Sequence, residues 1–355
     1  MIADKTNSMK YLLLLFSSIL VSSLALGQNK IPDAENSSSE TMELNLEGQS
    51  LEDYAASLLL EYDNIRSRNF SNGRKIIVQA DLDSMSSIAR RITMMAPLSF
   101  SSSYVKFKEE GFTETGYAHL KKAESFTDNK TELYSDFLAS AHVLNKTADL
   151  KNYSKKLRNS GFIQSAVLEY NRNVLRSISE SKAFIITNGW DDTYPLLTLL
   201  EEEKRKNVTV INTEWIYDSN YRALISSKLK STNVSFNNNT YTWITNVVNS
   251  SNQPVYFTPT IPGSELAKLG SSISPAGILF KKGTYTAEEQ NYSCLIAWKK
   301  FSKVKLVTAH PISKNYIILL TLLESTLAEN ANEKGTYTQI LEFKESLEKK
   351  HPALK

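Results

Sequence analysis

Residues 183–212, "AFIITNGWDDTYPLLTLLEEEKRKNVTVIN", decide the fold of this chain. The stretch begins and ends in a short apolar, β-branched run, and the segment between the two runs has the apolar spacing of a helix. Strand, helix and strand in this order are typical of a parallel βαβ unit. "PVYFTP" (254–259) predicts a third strand, and "AGILFKKG" (276–283) predicts a fourth. We therefore predict a small parallel sheet built of βαβ units.

Helical patterns lie on both sides of this sheet region. Apolar residues recur at helical spacing in five segments of residues 46–178, which begin at Ser50 and then span 81–95, 114–126, 131–144 and 150–178. Ser50 lies three residues before Asp53, which is the spacing of a capping box. Breaks separate the segments, as in stacked helix pairs of the tetratricopeptide kind. A strict 34-residue pattern is not readable, and a plain helical bundle would explain the same segments. The predicted organisation is a repeat-like helical region (46–178), an α/β module (179–290) and a C-terminal helical region (291–355). The predicted fold class is α/β, with repeat-like helical segments flanking the sheet.

The N-terminus has the order of a secretory signal peptide. Lys10 precedes the apolar run "YLLLLFSSILVSSLALG", which ends in small residues. We predict a signal peptide over residues 1–27, a flexible Ser-rich lead-in over 28–45, and a periplasmic or secreted protein without stable membrane insertion after cleavage. The run approaches the length that crosses a bilayer, so a retained anchor is the alternative.

Composition excludes several classes of protein. A net charge of +3 without a basic block gives no footprint for nucleic acid. The single cysteine, Cys294, rules out an internal disulfide, and its apolar neighbours predict a buried, inert thiol. The four histidines have no metal-ligand spacing, and only 12 glycines occur in the chain. We therefore predict neither a metal nor a cofactor.

Polar residues follow each of the three predicted parallel strands. Because the carboxyl ends of parallel strands share one edge of a sheet, this edge is the predicted ligand site. The candidate ligand-binding residues are Asn188, Trp190, Asp191, Asp192, Asn212, Glu214 and Thr258. Helix initiation explains most of the same turn, with Asp191 or Asp192 as N-cap and Pro195 in the first helical turn. We favour capping for Asp192 and assign no catalytic residue.

The stretch 183–212 also resembles a known family. A strand, a Thr-Asn-Gly turn with acids and a second strand open the soluble extramembrane region of bacterial integral-membrane protein O-mannosyltransferases. "QPVYFTPTIPGSELAKL" and "AGILFKKG" resemble later parts of that region, so the resemblance covers about residues 180–285. Asp192 matches the second Asp of the family turn, whereas Trp190 stands where the family usually has an acid. The catalytic acid of the family lies in a multi-helix membrane domain, so the resemblance implies a recognition or accessory role here.

Three functions remain open at the level of sequence. The first is an exported, non-catalytic interaction or accessory protein that binds a polypeptide or an envelope partner, with a link to glycoprotein handling as a further hypothesis. The second is an enzyme acting on glycan or peptide, with Asp191 or Asp192 as acid, base or metal ligand. The third is a sugar-binding module in which Trp190 or Trp215 forms a stacking platform.

Export can be tested directly by N-terminal sequencing of the native protein. We expect the mature chain to begin near Gln28, because the small residues of "LALG" occupy the positions that a signal peptidase reads. An intact Met1 or Met9 terminus in the purified protein would contradict this prediction.

Overall fold

A computed structural model describes residues 50–70, 77–205, 207–231, 234–237, 239–269, 272–301, 306–328 and 330–354. The predicted signal peptide and lead-in lie outside the described residues. The described chain is mostly helical, around one five-stranded sheet. Its α-helices are α1 (Leu51–Phe70), α2 (Gln79–Met95), α3 (Phe100–Glu110), α4 (Glu114–Glu124), α5 (Tyr134–Val143), α6 (Thr147–Asn159), α7 (Ser165–Ser177), α8 (Trp190–Glu202), α9 (Ser219–Leu229), α10 (Thr240–Asn249), α11 (Gly263–Ala267), α12 (Ala287–Lys300), α13 (Ile317–Leu327) and α14 (Lys334–Lys350). Its strands are β1 (Ala183–Thr187), β2 (Val208–Asn212), β3 (Val255–Phe257), β4 (Ile273–Ala276) and β5 (Leu279–Lys282).

The sheet has the strand order β2-β1-β3-β5-β4. β1 pairs in parallel with β2 and with β3, so that Ile185 lies opposite Val210 on one side and Tyr256 on the other. The prediction of three parallel neighbours is therefore confirmed. β1 is buried at every position, as expected for a central strand covered on both faces.

The fourth predicted strand does not continue the parallel order, so the prediction of a wholly parallel sheet is wrong. β5 runs antiparallel to β3, and β4 pairs antiparallel with β5 as a hairpin. Ala276 pairs with Leu279, which leaves Gly277 and Ile278 as a two-residue turn. Gly277 has a φ of 67°, a conformation that such hairpin turns require and that glycine adopts without strain.

Before β1, the helical segments agree with the sequence patterns except in two places. Helix α3 was not predicted, and the predicted helical segment over 150–178 is two helices, separated at Gly161 with a φ of 75°. The predicted capping of α1 is confirmed, since the Ser50 hydroxyl accepts a hydrogen bond from the Asp53 N–H at 3.1 Å. In the described part of the chain, no helix is both long enough and apolar enough to cross a membrane.

Two hydrophobic clusters form the core. The larger one runs without interruption from α3 through the sheet to α14, so the helices and the sheet share one interior. The smaller one joins α1, α2 and Val105 of α3. Phe100 and Tyr104 on α3 pack against both clusters, and α3 therefore connects the first helix pair to the rest of the molecule.

Contacts between successive helix pairs recur at a constant distance along the chain. Tyr104 on α3 donates a hydrogen bond to Asp136 on α5, 32 residues later. Tyr117 on α4 donates to Asp149 on α6 at 2.8 Å, with the same separation. Two ion pairs repeat this separation, namely Glu114–Lys146 and Glu124–Lys156. The pair α3–α4 thus contacts the pair α5–α6 through equivalent positions.

The tyrosines of these two hydrogen bonds, Tyr104 and Tyr117, should differ in their effect on stability. Desolvation raises the pKa of Asp136, so loss of the Tyr104 hydroxyl leaves a carboxyl group with little access to water. We expect Tyr104→Phe to lower the free energy of unfolding by about 2 kcal/mol, and Tyr117→Phe, the matched control, by about 1 kcal/mol. Urea denaturation of both variants measures the difference. An equal or larger loss for Tyr117→Phe would contradict it.

Candidate functional site

The predicted ligand site includes the turn after β1, and the structure of this turn differs from the prediction. Helix α8 begins at Trp190 and has Gly189 as its N-cap, with a φ of 93° and no side-chain capping bond. The predicted capping by Asp191 or Asp192 is therefore wrong. Because the helix begins earlier than predicted, Asp192 lies inside the first turn, and Pro195 lies inside the helix and not in its first turn.

Pro195 has a direct structural consequence for the neighbouring helix α7. A proline has no N–H, so it cannot donate to the carbonyl group four residues earlier, which belongs to Asp191. The Asn171 side chain of α7 supplies the missing donor, since its Nδ2 lies 2.7 Å from that carbonyl oxygen. Helix α8 therefore depends on a side chain of α7 for a hydrogen bond to its backbone that it cannot form within the helix.

Asp192 joins the turn after β1 to the segment after β3. Its side chain is fully buried, and its Oδ2 accepts hydrogen bonds from the Thr260 hydroxyl, from the Thr258 hydroxyl at 2.8 Å and from the Asn188 N–H at 3.4 Å. Its Oδ1 is also buried and has no hydrogen-bond partner in the described structure. The carboxylate thus acts as a link between strand ends.

Asn188 forms the second centre of this arrangement. Its Oδ1 accepts from the hydroxyl groups of Thr213 at 2.8 Å and Tyr241 at 2.9 Å, and its Nδ2 donates to the Thr260 carbonyl at 3.1 Å. Thr213 follows β2, Tyr241 lies on α10 and Thr260 follows β3. We call Asn188, Asp192, Thr213, Tyr241, Thr258 and Thr260 the strand-end network.

Asn212 shapes the turn after β2. Its Oδ1 accepts from the backbone N–H groups of Glu214 at 2.6 Å and Trp215 at 3.2 Å, and its Nδ2 donates to the Thr193 hydroxyl at 2.6 Å. Thr193 in turn bonds the Thr187 hydroxyl at 2.7 Å. Asn212 is completely buried, so its hydrogen-bonding groups are occupied within the fold.

The remaining candidates lie outside this network. Asp191 is exposed, and partial desolvation of its carboxyl group raises its pKa. Trp190 is half-buried and stacks on Tyr194, with ring centroids 5.4 Å apart. Trp215 is only 8% exposed and packs against four aromatic rings, those of Phe112, His142, Tyr194 and Tyr221. Trp215 is therefore not an open stacking platform for a sugar.

Burial controls the electrostatics of Asp192. It raises the pKa of this carboxyl group from 3.8 to about 6, and the hydrogen bonds from Thr260, Thr258 and the Asn188 N–H limit the rise. Asp192 is enclosed, whereas Asp191 faces the surface, so the two carboxyl groups do not share a pocket. Among the described residues, no group of three or more His, Cys, Asp and Glu side chains could hold a metal ion.

The structure brings together four of the seven predicted residues through hydrogen bonds around the strand ends, namely Asn188, Asp192, Asn212 and Thr258. The sequence interpretation overlooked Thr193, Thr213 and Tyr241, which complete these bonds. Thr213 was detectable, because it directly follows β2. Tyr241 had no signal in the sequence, since its partner Asn188 lies 53 residues away.

No family model, no curated protein and no solved structure matches this chain.

Asp192→Asn should change how stability depends on pH. The folded-state pKa of about 6 lies above the value of 3.8 for the unfolded chain, so the folded protein holds this proton more tightly. This proton therefore stabilises the folded state by about 3 kcal/mol. The contribution is fully present below pH 4 and is lost as the pH rises to about 6. Asn stays neutral, so we expect the variant to lose less stability between pH 4 and 7 than the wild type.

Thermal or urea unfolding at a series of pH values measures this difference. Asp83→Asn, on the exposed side of α2, is the control for removal of a surface charge. Parallel pH profiles for the wild type and Asp192→Asn would show that the buried carboxyl group is not the source of the dependence.

Proposed function

We propose that this chain is an exported, non-catalytic interaction protein that binds a polypeptide or an envelope partner. The observation that carries the proposal is the closure of the strand-end network. Asp192 is fully enclosed, and its hydrogen bonds link segments of its own chain. A general acid or base must reach substrate directly or through one water molecule, and an enclosed carboxyl group that holds strand ends together is poorly placed for that.

The helical region supports binding of a polypeptide. The constant separation of 32 residues between Tyr104 and Asp136, and between Tyr117 and Asp149, favours a repeat arrangement in which equivalent helix pairs stack. Stacked helix pairs of this kind present extended surfaces, which is how repeat proteins commonly bind partners. We include the tetratricopeptide-like arrangement in the proposal on this ground.

The first helix pair offers a specific contact surface. Met94, in the last turn of α2, is 76% exposed, and Leu98, in the turn that follows this helix, is 74% exposed. Arg91 donates to the Tyr54 hydroxyl at 2.6 Å, so the end of α2 lies beside the beginning of α1, where Leu51 is also exposed. We call Leu51, Met94 and Leu98 the apolar tip. Exposed apolar side chains gathered at one end of a structure are a common feature of protein contact sites.

Export and the link to glycoprotein handling belong to the same proposal but rest on sequence. The signal-like order of residues 1–27 supports a periplasmic or secreted location. The resemblance of residues 180–285 to the extramembrane region of O-mannosyltransferases supports a partner involved in glycoprotein handling.

The apolar tip provides the test of this function. We expect the variant Met94→Gln/Leu98→Gln to keep the wild-type melting temperature, because both side chains are largely exposed, and to capture less of a specific partner from an envelope extract. Quantitative mass spectrometry of material captured with the mature protein measures the difference. Ile318→Gln, at an exposed position of α13, is the matched control.

Two results would contradict the proposal. Equal capture by the wild type and the double variant would show that the apolar tip is not part of the contact surface. A hydrolytic or transfer activity on glycan or peptide that Asp192→Asn abolishes in a fully folded protein would favour the enzyme hypothesis.

A further inference from the structure

A second polar site lies away from the strand-end network. A cleft of about 310 Å³ opens between the end of α7, the β4–β5 hairpin and one side of α12. This volume is at the lower end of the range of about 300–1,000 Å³ that small-molecule sites occupy. The cleft is therefore large enough for a small ligand and too small for a folded partner.

Basic side chains dominate the charge of the cleft. Arg176, Lys281 and Lys300 line it, and Glu289 is its only acidic lining residue. Glu289 caps α12, with its Oε2 accepting from the Thr286 N–H at 2.8 Å. The acid is thus used locally, whereas Lys300 has no acidic partner within the described part of the chain.

Several donors in the cleft are unused within the described part of the chain. Arg176 uses only its Nη1, which donates to Glu169 at 2.9 Å and to Asn173 at 2.8 Å, so its Nε and Nη2 make no further hydrogen bond there. Lys281 is paired with Glu180 at 2.5 Å. Lys300 has neither an ion pair nor a hydrogen bond among the described residues, and the same is true of the Ser293 hydroxyl.

Tyrosine rings complete the lining. Tyr292 is 68% exposed although it belongs to a helix that buries Cys294 and Trp298. Tyr285 lies under Lys281, whose Nζ is 4.9 Å from the ring centroid. The exposed ring of Tyr292, beside free hydroxyl and cationic donors, suits a ring-shaped ligand that carries hydroxyl groups and an acid.

We propose that this cleft binds a small anionic ligand, a hydroxylated ring bearing a carboxylate or a phosphate group. Arg176 and Lys300 hold the anionic group, Ser293 bonds a ring hydroxyl, and Tyr292 covers one face of the ring. The site is independent of the proposed protein–protein function, because the cleft shares no residue with the apolar tip or the strand-end network.

Titration of the full chain with three probes tests the site, by calorimetry or ligand-observed NMR. The probes are glucuronate, glucose 6-phosphate and glucose. We expect saturable binding of at least one of the two anions. Its affinity should be about tenfold higher than that of glucose, because the anionic group accepts a charge-assisted hydrogen bond that neutral glucose cannot form. The tighter anion identifies the acidic group as carboxylate or phosphate.

Variants then locate the binding. Lys300→Gln should lower the affinity of the protein for the anion about tenfold without changing the specificity of the cleft for the ring. Tyr292→Ala should lower the same affinity about fivefold, because the contact between the tyrosine ring and the ligand ring is lost. Lys299→Gln, next in sequence but outside the cleft, is the matched control. Arg176 is left intact, because it holds the buried Glu169.

Three outcomes would overturn the inference. These are the absence of saturable binding for both anions, binding of glucose as tight as that of the tighter anion, and equal affinities of the wild type and Lys300→Gln for that anion. Unchanged melting temperatures in Lys300→Gln and Tyr292→Ala exclude misfolding as the cause of a loss, since both side chains lie at the surface.

Discussion

One buried carboxylate connects the parts of this molecule that the sequence keeps far apart. Asp192 accepts hydrogen bonds from Thr258 and Thr260, more than sixty residues away, and from the backbone of Asn188 in its own turn. Burying an acid without donors is very costly, so these three donors are required for the fold to enclose it. The carboxyl ends of β1 and β3 are therefore held at a fixed distance by a polar contact and not only by the ladder between them.

The helices and the sheet are joined by aromatic packing as well. Trp215, in the turn after β2, contacts Phe112 between α3 and α4, and Tyr194 on α8. The turn after β2 also contacts His142 of α5, whose pKa falls to about 4 because it is buried. A neutral imidazole and apolar rings thus fill the junction. This packing explains why one hydrophobic cluster runs from α3 to α14.

The parts of the fold that could be predicted are those whose signal is local. β1, β2 and β3 are short apolar runs because they are buried, and their length and their β-branched and aromatic residues reveal them. Helix α3 escaped prediction because Ser101, Ser102 and Ser103 occupy buried positions where apolar residues are expected. The role of Asp192 was misjudged for a different reason. Capping depends on neighbours in sequence, whereas two of the three observed partners, Thr258 and Thr260, follow another strand, and no spacing rule connects them to Asp192.

The hydrogen bond from Asn171 to the Asp191 carbonyl bears on whether the sheet region is a portable unit. Pro195 leaves that carbonyl unsatisfied within its own helix, and the donor that replaces the lost N–H comes from α7, which precedes the predicted boundary at residue 179. A cut at that boundary would remove the donor and uncover the face of α8 that packs on α7. Transplantation or circular permutation of the sheet region would therefore have to carry α7 along with it.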